Sequence, residues 1–359
     1  MRNSLYLKYL FVVITVLFLN SQSNLYAQNL ESNIDSLLQE KYPENTPGGA
    51  FLIAKNGTIL YKKAFGLANL ELNIPMQTEN IFEIGSMTKQ FTAISILILM
   101  EKGQLNLDDE ITKFIPNYPT NGHKITIQHL LTHTSGIKDF TRIQGLNDLA
   151  KKDLTPAELI DFFKNEPMDF IPGEQFKYNN SGYIILGYII ETITGQSYAN
   201  FVEEQIFKKL EMTSSQYASH KKIIPNRASG YQHKEGYINS REISFTLPYA
   251  SGSLMSSIDD MFKWQEAIKN NLLISKETTE KAFKNYVLNN GESINYGYGW
   301  HIKTINNIRS FEHGGSIFGF KSMGVYFPDL DIYVIGLNNC DCNSPTKITR
   351  EIAEMAAKY

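Results

Sequence analysis

The chain has 359 residues, of which 34 are basic and 37 acidic, so its formal net charge is −3. This near balance gives no electrostatic reason to expect nucleic acid or a membrane surface as a partner. Hydrophobic residues make up 42% of the chain and aromatic residues 12%, enough for a large core in one big domain or two interlocked ones.

The first 27 residues have the pattern of an export signal. Arg2 and Lys8 form a basic start, the apolar run YLFVVITVLFLN follows, and Ala27 precedes a predicted cleavage site before Gln28. The apolar run is too short to span a bilayer, and no later segment reaches the roughly 18 to 20 residues required. No cysteine near the cleavage site could carry a lipid anchor. We therefore expect a bacterial protein that is periplasmic or secreted, without a stable membrane anchor.

Strand and helix signals come in blocks along the rest of the chain. An amphipathic helix is predicted near residues 30–40, and two apolar runs then flank Asn56-Gly57, a dipeptide typical of a β-hairpin. Helical periodicity dominates residues 88–273. Strands return afterwards, with a second hairpin at Pro328-Asp329, and a last helix is predicted at about residues 346–358.

This block order predicts an α+β fold, an α/β sandwich. One antiparallel sheet would be built from the N- and C-terminal segments and flanked by helices, with a mainly helical region inserted into it. After the signal at residues 1–27, we assign one domain to residues 28–359. Its sheet region covers about 28–87 and 290–359, and its helical region about 88–289. A cleft is expected where sheet and insertion meet, which is a favoured place for a binding site.

The chain has two cysteines, Cys340 and Cys342, separated by one residue. Side chains along a strand alternate in direction, and disulfides tolerate only a narrow geometry, so we expect no bridge between them. The stability of the fold is therefore expected to come from its hydrophobic core.

The stretch EIGSMTKQFTAISILILM sets a serine and a lysine at the start of a long apolar run. An extended piece passes through Gly85 into about fifteen residues without Gly or Pro, so Ser86 is predicted at a helix N-terminus. Lys89 then lies on the same helix face. A buried lysine with a pKa well below the usual ~10.4 can accept the proton of a serine hydroxyl and make it nucleophilic. The helix N-terminus would also stabilise negative charge that develops nearby.

The bare pattern Ser-x-x-Lys is a weak signal, because it recurs at three other places: Ser135–Lys138, Ser219–Lys222 and Ser344–Lys347. Those three lie in a glycine-containing loop, in a polar stretch and before a proline. Ser86 alone has an extended piece, a turn and a long helix around it. An ordinary helix cap nevertheless remains an open interpretation of Ser86.

Two later motifs strengthen the interpretation of Ser86 as a nucleophile. PGEQFKYNNSGYIILGYIIE places Tyr178 and Asn180 in a loop before an amphipathic helix, and EHGGSIFGF places His313 on a strand before a glycine-rich turn. The order Ser-x-x-Lys, Tyr-x-Asn, His-x-Gly resembles the serine β-lactamase and penicillin-binding-protein superfamily, and within it the class C β-lactamase-like branch. LLTHTSG and ASGSLMSSIDDM also match, and the resemblance covers nearly the whole chain after the signal.

The resemblance implies catalysis through an acyl-enzyme, with Ser86 as the acylated nucleophile and Lys89 as its proton acceptor. Tyr178 would share their proton path and protonate the leaving group. Asn180 would hold the amide of the substrate. From the residues alone, Tyr178 is equally a half-buried aromatic, and Asn180 a residue that bonds its own turn.

The resemblance also implies an oxyanion hole formed by the backbone N–H groups of Ser86 and Ser316. Gly314 and Gly315 would leave the strand edge bare, so that the substrate backbone can approach closely. No cofactor or metal is implied.

His313 departs from the Lys-Thr-Gly motif of many family members. The lysine ammonium there helps to receive a substrate carboxylate, whereas histidine, with a usual pKa near ~6.5, is mostly neutral at pH 7. We therefore expect a substrate-binding role for His313 with a weaker charge, which argues against true β-lactamase activity more than against a hydrolase. A strand histidine bonded to a neighbour is the alternative.

A zinc site is the competing interpretation of His129 and His133. The two histidines are four residues apart on a predicted helix, as in zinc-binding pairs, but Leu130 stands where a metalloprotease needs glutamate. A catalytic zinc site needs three protein ligands, and no third is evident. A structural role at the end of the helix is the better interpretation.

Together these features predict an exported serine hydrolase that acts on an ester, an amide or a β-lactam. The expected partner is a small-molecule or peptide substrate. Two alternatives stay open: a D-specific peptidase or transpeptidase that acts on cell-wall peptides, and a penicillin-binding sensor that is acylated once without turnover. The shape of the loops around the cleft decides the substrate, and fold analogy does not supply it.

Overall fold

The computed structural model describes residues 28–342 and 344–359, so the predicted signal at 1–27 lies outside the described residues. Its centre is a six-stranded antiparallel sheet. The strands are β1 (Gly49–Lys55), β2 (Thr58–Phe65), β10 (His301–Ile305), β11 (Ile308–Ile317), β12 (Phe320–Phe327) and β13 (Ile332–Asn338). Their order across the sheet is β10-β11-β12-β13-β1-β2. Strands from both ends of the chain therefore form one sheet, which confirms the predicted α+β fold.

Both predicted hairpins are present in this sheet. Asn56 and Gly57 join β1 to β2 with φ values of 51° and 72°, the left-handed conformation that a tight hairpin turn requires and that Asn and Gly tolerate. The turn that contains Pro328 and Asp329 joins β12 to β13. The N- and C-terminal segments meet at the pair of β1 and β13, in which Gly49 faces Asn338.

One face of the sheet is covered by the first and last helices of the described chain, α1 (residues 28–41) and α11 (Pro345–Ala357). Ile34 and Leu38, one helical turn apart, are fully buried against this face together with Phe51 and Ile53 of β1. The alternate strand residues, such as Leu52, point to the opposite face and join the larger core.

The other face supports the helical region, whose central helix is α2 (Thr88–Glu101). Every residue from Thr88 to Leu99 is buried, so this helix is enclosed on all sides rather than amphipathic. The remaining helices are α3 (Ile127–Leu131), α4 (Leu146–Leu149), α5 (Pro156–Phe163), α6 (Asn180–Thr194), α7 (Tyr198–Val202), α8 (Tyr249–Gly252), α9 (Ile258–Lys269) and α10 (Lys276–Ala282). Among the described helices, none is long and apolar enough to cross a bilayer.

Short strands join the helical region to the sheet. They are β3 (Leu67–Asn69), β4 (Ile74–Pro75), β5 (Phe82–Glu83), β6 (Gln216–Tyr217), β7 (Tyr231–His233), β8 (Tyr237–Asn239) and β9 (Leu254–Ser256). β5 leads directly into the turn before α2 and pairs with β9 of the helical region. The chain around Ser86 is therefore held by both the sheet and the helical region. The domain boundaries given above remain a prediction.

The structure pairs Cys340 with Cys342 in a disulfide, so the expectation that they stay apart was wrong. Their Cα atoms are 5.1 Å apart, within the range that disulfides span. The alternation argument fails because β13 ends at Asn338, and the chain turns at residues 341–342 instead of continuing as a strand. The bridge thereby closes a tight turn around Asp341.

Candidate active site

Ser86 lies in a single 3₁₀ turn, Gly85–Met87, that leads into α2. Gly85 has a φ of 51°, and a Cβ there would lie 2.8 Å from the backbone nitrogen of Ser316, so both the conformation and the close approach require glycine. The N-cap of α2 is Met87, and no side-chain cap bond is made at either start. Ser86 therefore does not act as a helix cap, which removes the alternative interpretation of this residue.

Lys89 is fully buried one turn beyond Ser86, and its amine meets three oxygens. The Nζ atom lies 3.1 Å from Ser86 Oγ, 2.8 Å from Asn180 Oδ1 and 2.9 Å from the Ser251 carbonyl oxygen. Burial lowers the pKa of Lys89 to about 7, although the negative charge of Asp139 acts in the opposite direction. A neutral amine donates to Asn180 and Ser251 and keeps its lone pair for the proton of Ser86.

Tyr178 lies beside this pair with its hydroxyl group buried. Among the described residues the hydroxyl has no hydrogen-bond partner, and the Lys89 Nζ atom lies 4.8 Å from the ring centroid. Burial raises the pKa of Tyr178, while the nearby Ser86 hydroxyl lowers it. Tyr178 therefore keeps its proton at neutral pH and has that proton free to donate.

Asn180 begins α6, and both ends of its side-chain amide are engaged within the protein. Its Oδ1 atom accepts from Lys89, and its Nδ2 atom donates to Asp139 Oδ2 at 3.1 Å. The backbone N–H of Asn180 donates to the same carboxylate oxygen at 2.9 Å. Asn180 thus holds the Lys89 amine, and its predicted contact with a substrate amide remains a prediction.

His313 is buried and is not among the residues that line the cleft, and its predicted substrate-binding role remains a prediction. Its side chain is 2% exposed and is covered by the rings of Tyr178 and His301, with centroids 6.0 and 5.4 Å away. The Nδ1–H group donates to the Gly314 carbonyl at 2.7 Å, and Nε2 accepts from Tyr296 Oη at 3.2 Å. Burial holds the pKa of His313 well below its usual value. Its ring is therefore buried and neutral behind that of Tyr178.

Gly315 has a structural role beside its predicted one in substrate binding. A Cβ at this position would lie 1.9 Å from the Ile84 carbonyl oxygen and 2.3 Å from Ser322 Oγ, which itself donates to Ile84 at 2.8 Å. The backbone of Ile84, which follows β5 and precedes the turn of Ser86, therefore approaches Gly315 closely. The predicted approach of a substrate backbone remains a prediction. At Gly314 the nearest atoms would be 3.3 Å away, an ordinary contact after a small adjustment.

Gly315→Ala is therefore expected to push β11 away from the turn of Ser86. Because the added methyl group overlaps a backbone oxygen, we expect a loss of stability of roughly 2 kcal/mol or more and a loss of most of the activity. Denaturant unfolding and steady-state kinetics measure the two effects. Gly314→Ala on the same strand is the matched control, and equal losses in both variants would contradict this account.

Ser86 and Ser316, the two predicted oxyanion donors, both border the same cleft. The approach of Gly85 to the Ser316 nitrogen brings the turn and the end of β11 side by side. This arrangement suits two N–H groups that act on one substrate oxygen. The oxyanion hole itself remains a prediction.

The cleft has a volume of about 440 Å³, and Ser86, Tyr178 and Asn180 lie along it. Asp341, next to the disulfide, is the one charged residue among the described residues that line it. Its Oδ2 atom accepts from Gln232 Nε2 at 2.6 Å. Six apolar side chains form most of the wall: Phe140, Leu146, Ile243, Leu247, Ile317 and Phe318.

The histidines of the zinc interpretation serve the ends of a helix. His129 completes a capping box with Thr126 at the start of α3. His133 follows the end of α3 with a φ of 59°, and its Nδ1 atom accepts from the Asn179 N–H at 3.1 Å. In the part of the chain that the structure describes, no group of three or more His, Cys, Asp or Glu is placed to hold a metal ion.

The other Ser-x-x-Lys motifs have local roles. Lys138 is ion-paired with Asp169 at 3.0 Å, and Ser219 Oγ accepts from the backbone N–H of Lys222. Ser344 is the N-cap residue of α11. Among the four Ser-x-x-Lys motifs in the described residues, the motif at Ser86 differs from the others by a hydrogen bond of 3.1 Å between its serine Oγ and its lysine Nζ.

The family model for beta-lactamase matches residues 33–357 of the chain. The protein belongs to the beta-lactamase family. Penicillin-binding protein 4* of Bacillus subtilis (strain 168) is 32% identical over 329 residues, which are 87% of this chain and 72% of that protein. Protein flp of Staphylococcus aureus (strain MRSA252) is 28% identical over 333 residues, 90% of this chain and 65% of that protein. The chain thus spans about two thirds to three quarters of these relatives.

Several solved structures share the fold of this chain. The octameric penicillin-binding protein homologue from Pyrococcus abyssi superposes with a TM-score of 0.79 at 31% identity, over 92% of this chain and 77% of that one. A D-amino acid amidase from Ochrobactrum anthropi SV3 superposes with a TM-score of 0.78 over 91% of this chain and 96% of that one. At 23% identity, the amidase shows the fold alone.

Sequence reasoning missed three groups of the site: Asp139, the Ser251 carbonyl and Asp341. Asp139 lies three residues beyond the end of the family-like phrase LLTHTSG, and Ser251 lies within ASGSLMSSIDDM, so only these two had a neighbouring motif. Ser251 contributes a backbone oxygen, so its side chain gave no indication. Asp341 reaches the cleft because the chain turns after β13, where a continued strand was expected.

Proposed function

We propose that this protein is an exported serine hydrolase that acts through an acyl-enzyme on Ser86, with an ester, amide or β-lactam as substrate. The observation that carries the proposal is the contact of 3.1 Å between Ser86 Oγ and the amine of Lys89, whose pKa burial lowers to about 7. The pattern of the first 27 residues supports export, as does a disulfide, since disulfides persist in oxidising compartments.

In the proposed first step, neutral Lys89 takes the proton of Ser86 as Oγ attacks the carbonyl carbon of the substrate. The N–H groups of Ser86 and Ser316 stabilise the negative oxygen of the tetrahedral intermediate. As the bond to the leaving group breaks, Tyr178 donates its proton to that group and regains one from Lys89. Water then attacks the acyl carbon by the reverse proton path, which releases the acid and restores the Ser86 hydroxyl.

The lining of the cleft favours substrates that carry no negative charge near the scissile bond. Asp341 would repel a carboxylate, and His313 is buried and neutral, so neither replaces the lysine ammonium of related enzymes. The adjoining groove contains Arg241, but its guanidinium lies over the Phe318 ring and donates to Asn147. Neutral substrates with apolar acyl groups fit this cleft best.

Asp341→Asn is accordingly expected to raise kcat/KM for a carboxylate-bearing β-lactam relative to a neutral ester. Removal of one nearby negative charge at a half-exposed position is worth about 1 kcal/mol, or roughly a fivefold change in that ratio. Steady-state kinetics with the two substrates measures it. Glu277→Gln is the control, because it removes the same charge from α10 outside the cleft and should leave the ratio unchanged. An unchanged ratio in Asp341→Asn would show that Asp341 does not face the substrate.

A D-specific peptidase that acts on cell-wall peptides is the second candidate. The names of the relatives favour it, since several are called penicillin-binding proteins. The negative charge of Asp341 disfavours peptides with a free carboxylate next to the scissile bond. A sensor that is acylated once would use the same groups but would lack the deacylation step.

Intact-protein mass spectrometry tests the proposed function directly. The mature protein is exposed to a panel of neutral activated esters, amino-acid amides and β-lactams, and adducts are mapped by peptide digestion. A transient adduct on Ser86 with product release supports the hydrolase, and a long-lived adduct supports the sensor. An adduct on another residue, or none with any substrate, contradicts the proposal. The mass of the exported protein also reports whether cleavage follows Ala27.

A further inference from the structure

Asp139 is a buried carboxylate, 3% exposed, that has no ion-pair partner within 4 Å among the described residues. It caps the 3₁₀ helix Phe140–Arg142, since its Oδ1 atom accepts from the N–H of Thr141 at 2.9 Å and from its hydroxyl at 2.7 Å. Its Oδ2 atom accepts from the backbone N–H and the side-chain Nδ2 of Asn180. Two elements of the helical region therefore meet on this carboxylate.

The carboxylate decides which way the Asn180 amide points. Since it can only accept hydrogen bonds, it binds the NH₂ end of the amide and turns Oδ1 toward Lys89. With the amide reversed, oxygen would face oxygen at Asp139, and N–H groups would face the Lys89 amine. Both contacts would be lost, so the observed orientation depends on Asp139.

We propose that Asp139 is a positioning residue: through the Asn180 amide it holds the Lys89 amine with its lone pair toward Ser86, and it sets the pH at which that amine gives up its proton. This inference rests on the proposed function for its effect on rate. Its structural part, the control of Lys89, holds in the resting protein.

Asp139 is the dominant charge near Lys89, because the titratable side chains that pack around the amine are neutral at pH 7. Tyr178 and Tyr183 present their ring faces to Nζ at 4.8 and 5.5 Å, and both hydroxyls keep their protons because burial raises their pKa values. Three histidines lie behind these rings: His133, His301 and His313. Burial lowers the pKa of each, so all three are neutral at pH 7.

The test is Asp139→Asn, studied first without substrate. The asparagine can keep an oxygen toward Asn180, and its NH₂ group can donate to the Thr141 hydroxyl but cannot accept from the Thr141 N–H. The change therefore removes the charge together with one hydrogen bond of the loop cap. NMR titration of lysine labelled with ¹³C at Cε follows Lys89 directly. We expect its titration midpoint to fall by about one pH unit. The acid limb of kcat/KM against pH should fall by the same amount.

Ser181→Ala is the matched control because it loosens the same loop without contact to Lys89. Ser181 Oγ accepts from the Phe140 N–H at 2.8 Å and donates to the Lys138 carbonyl at 2.7 Å. We expect lower stability in this variant and an unchanged Lys89 titration. Where Asp139→Asn does not fold, Asp139→Ser retains a hydroxyl for the cap and gives the same readout.

An unchanged midpoint in folded Asp139→Asn, or an equal shift in Ser181→Ala, overturns the proposal and leaves Asp139 as a loop cap. The two proposals fail separately, because the titration needs no substrate. A shifted Lys89 midpoint in a protein that is never acylated at Ser86 would contradict the hydrolase and retain the control of Lys89 by Asp139.

Discussion

Ser86→Ala is expected to abolish acylation while the protein remains folded. The change removes the nucleophilic oxygen, so the rate should fall by about three orders of magnitude or more, as for other catalytic groups that act as a unit. Little stability should be lost, because the Ser86 hydroxyl caps neither the 3₁₀ turn nor α2. Its one described hydrogen bond is to Lys89. In the alanine variant the Lys89 amine loses this one contact and keeps its hydrogen bonds to Asn180 and Ser251.

Stopped-assay kinetics and intact mass after exposure to an activated ester measure the loss, and denaturant unfolding measures the stability. Ser135→Ala is the matched control, since it removes the serine of the second Ser-x-x-Lys motif. Ser135 is 2% exposed, and its Oγ atom accepts from the Ile137 N–H at 3.3 Å, so its removal should affect stability alone. Undiminished acylation in Ser86→Ala would refute the assignment of the nucleophile.

The fold was predictable because its signals are local. Asn56-Gly57 specifies its hairpin through backbone conformation alone, and the last helix, α11, begins within one residue of its predicted start. The block order of strand and helix signals then leaves few ways to close a single sheet. The chain after β13 was mispredicted because the turn that brings Cys340 to Cys342 depends on pairing with the distant Tyr231.

The site was predictable as far as its residues carry motifs. Ser86, Lys89, Tyr178 and Asn180 lie together, with Asn180 and Ser86 both in contact with the lysine amine. Motif order locates such residues, but it does not reveal which way a side chain points. His313 lies on the expected strand, yet its ring is buried behind Tyr178. Gly315, two residues later, is in close contact with the Ile84 backbone.

The groups that surround the Lys89 amine could not be predicted from the sequence, because they are buried in the fold and lie far from Lys89 along the chain. Asp139 is separated from Asn180 by 41 positions, and a loop aspartate in a sequence has no mark of being buried. The Ser251 carbonyl is 162 positions from Lys89. Tertiary packing thus lowers the pKa of an ordinary lysine to about 7, and the motif only marks where that lysine lies.

Lys89→Met is expected to abolish acylation and to change how stability depends on pH. Methionine fills the space of the lysine chain but has no proton acceptor, so the rate should fall by roughly three orders of magnitude. The buried amine of the native protein has a pKa of about 7, against a usual value of 10.5. Between these values the unfolded state binds more protons than the native state, so Lys89 makes native stability rise with pH.

The stability of Lys89→Met relative to the native protein should therefore be greatest below pH 7. There the difference between the two free energies of unfolding, variant minus native, has its largest value. It should then decline steadily up to about pH 10.5, at about 1.4 kcal/mol per pH unit and by at most ~5 kcal/mol in all. Its absolute value includes the partners that methionine leaves unpaired, the Ser251 carbonyl and Asn180 Oδ1, so the slope is the test.

Denaturant unfolding at pH 6, 8 and 10 measures this difference, because the other titrating groups are common to both proteins and cancel. Lys151→Met, at an exposed position, is the control and should give a difference that hardly changes with pH. Kinetics gives an independent check, since kcat/KM of the native enzyme should rise with pH through about 7 as Lys89 loses its proton. A pH-independent difference for Lys89→Met would mean that Lys89 keeps an ordinary pKa, and Lys89 could then not be the base that activates Ser86.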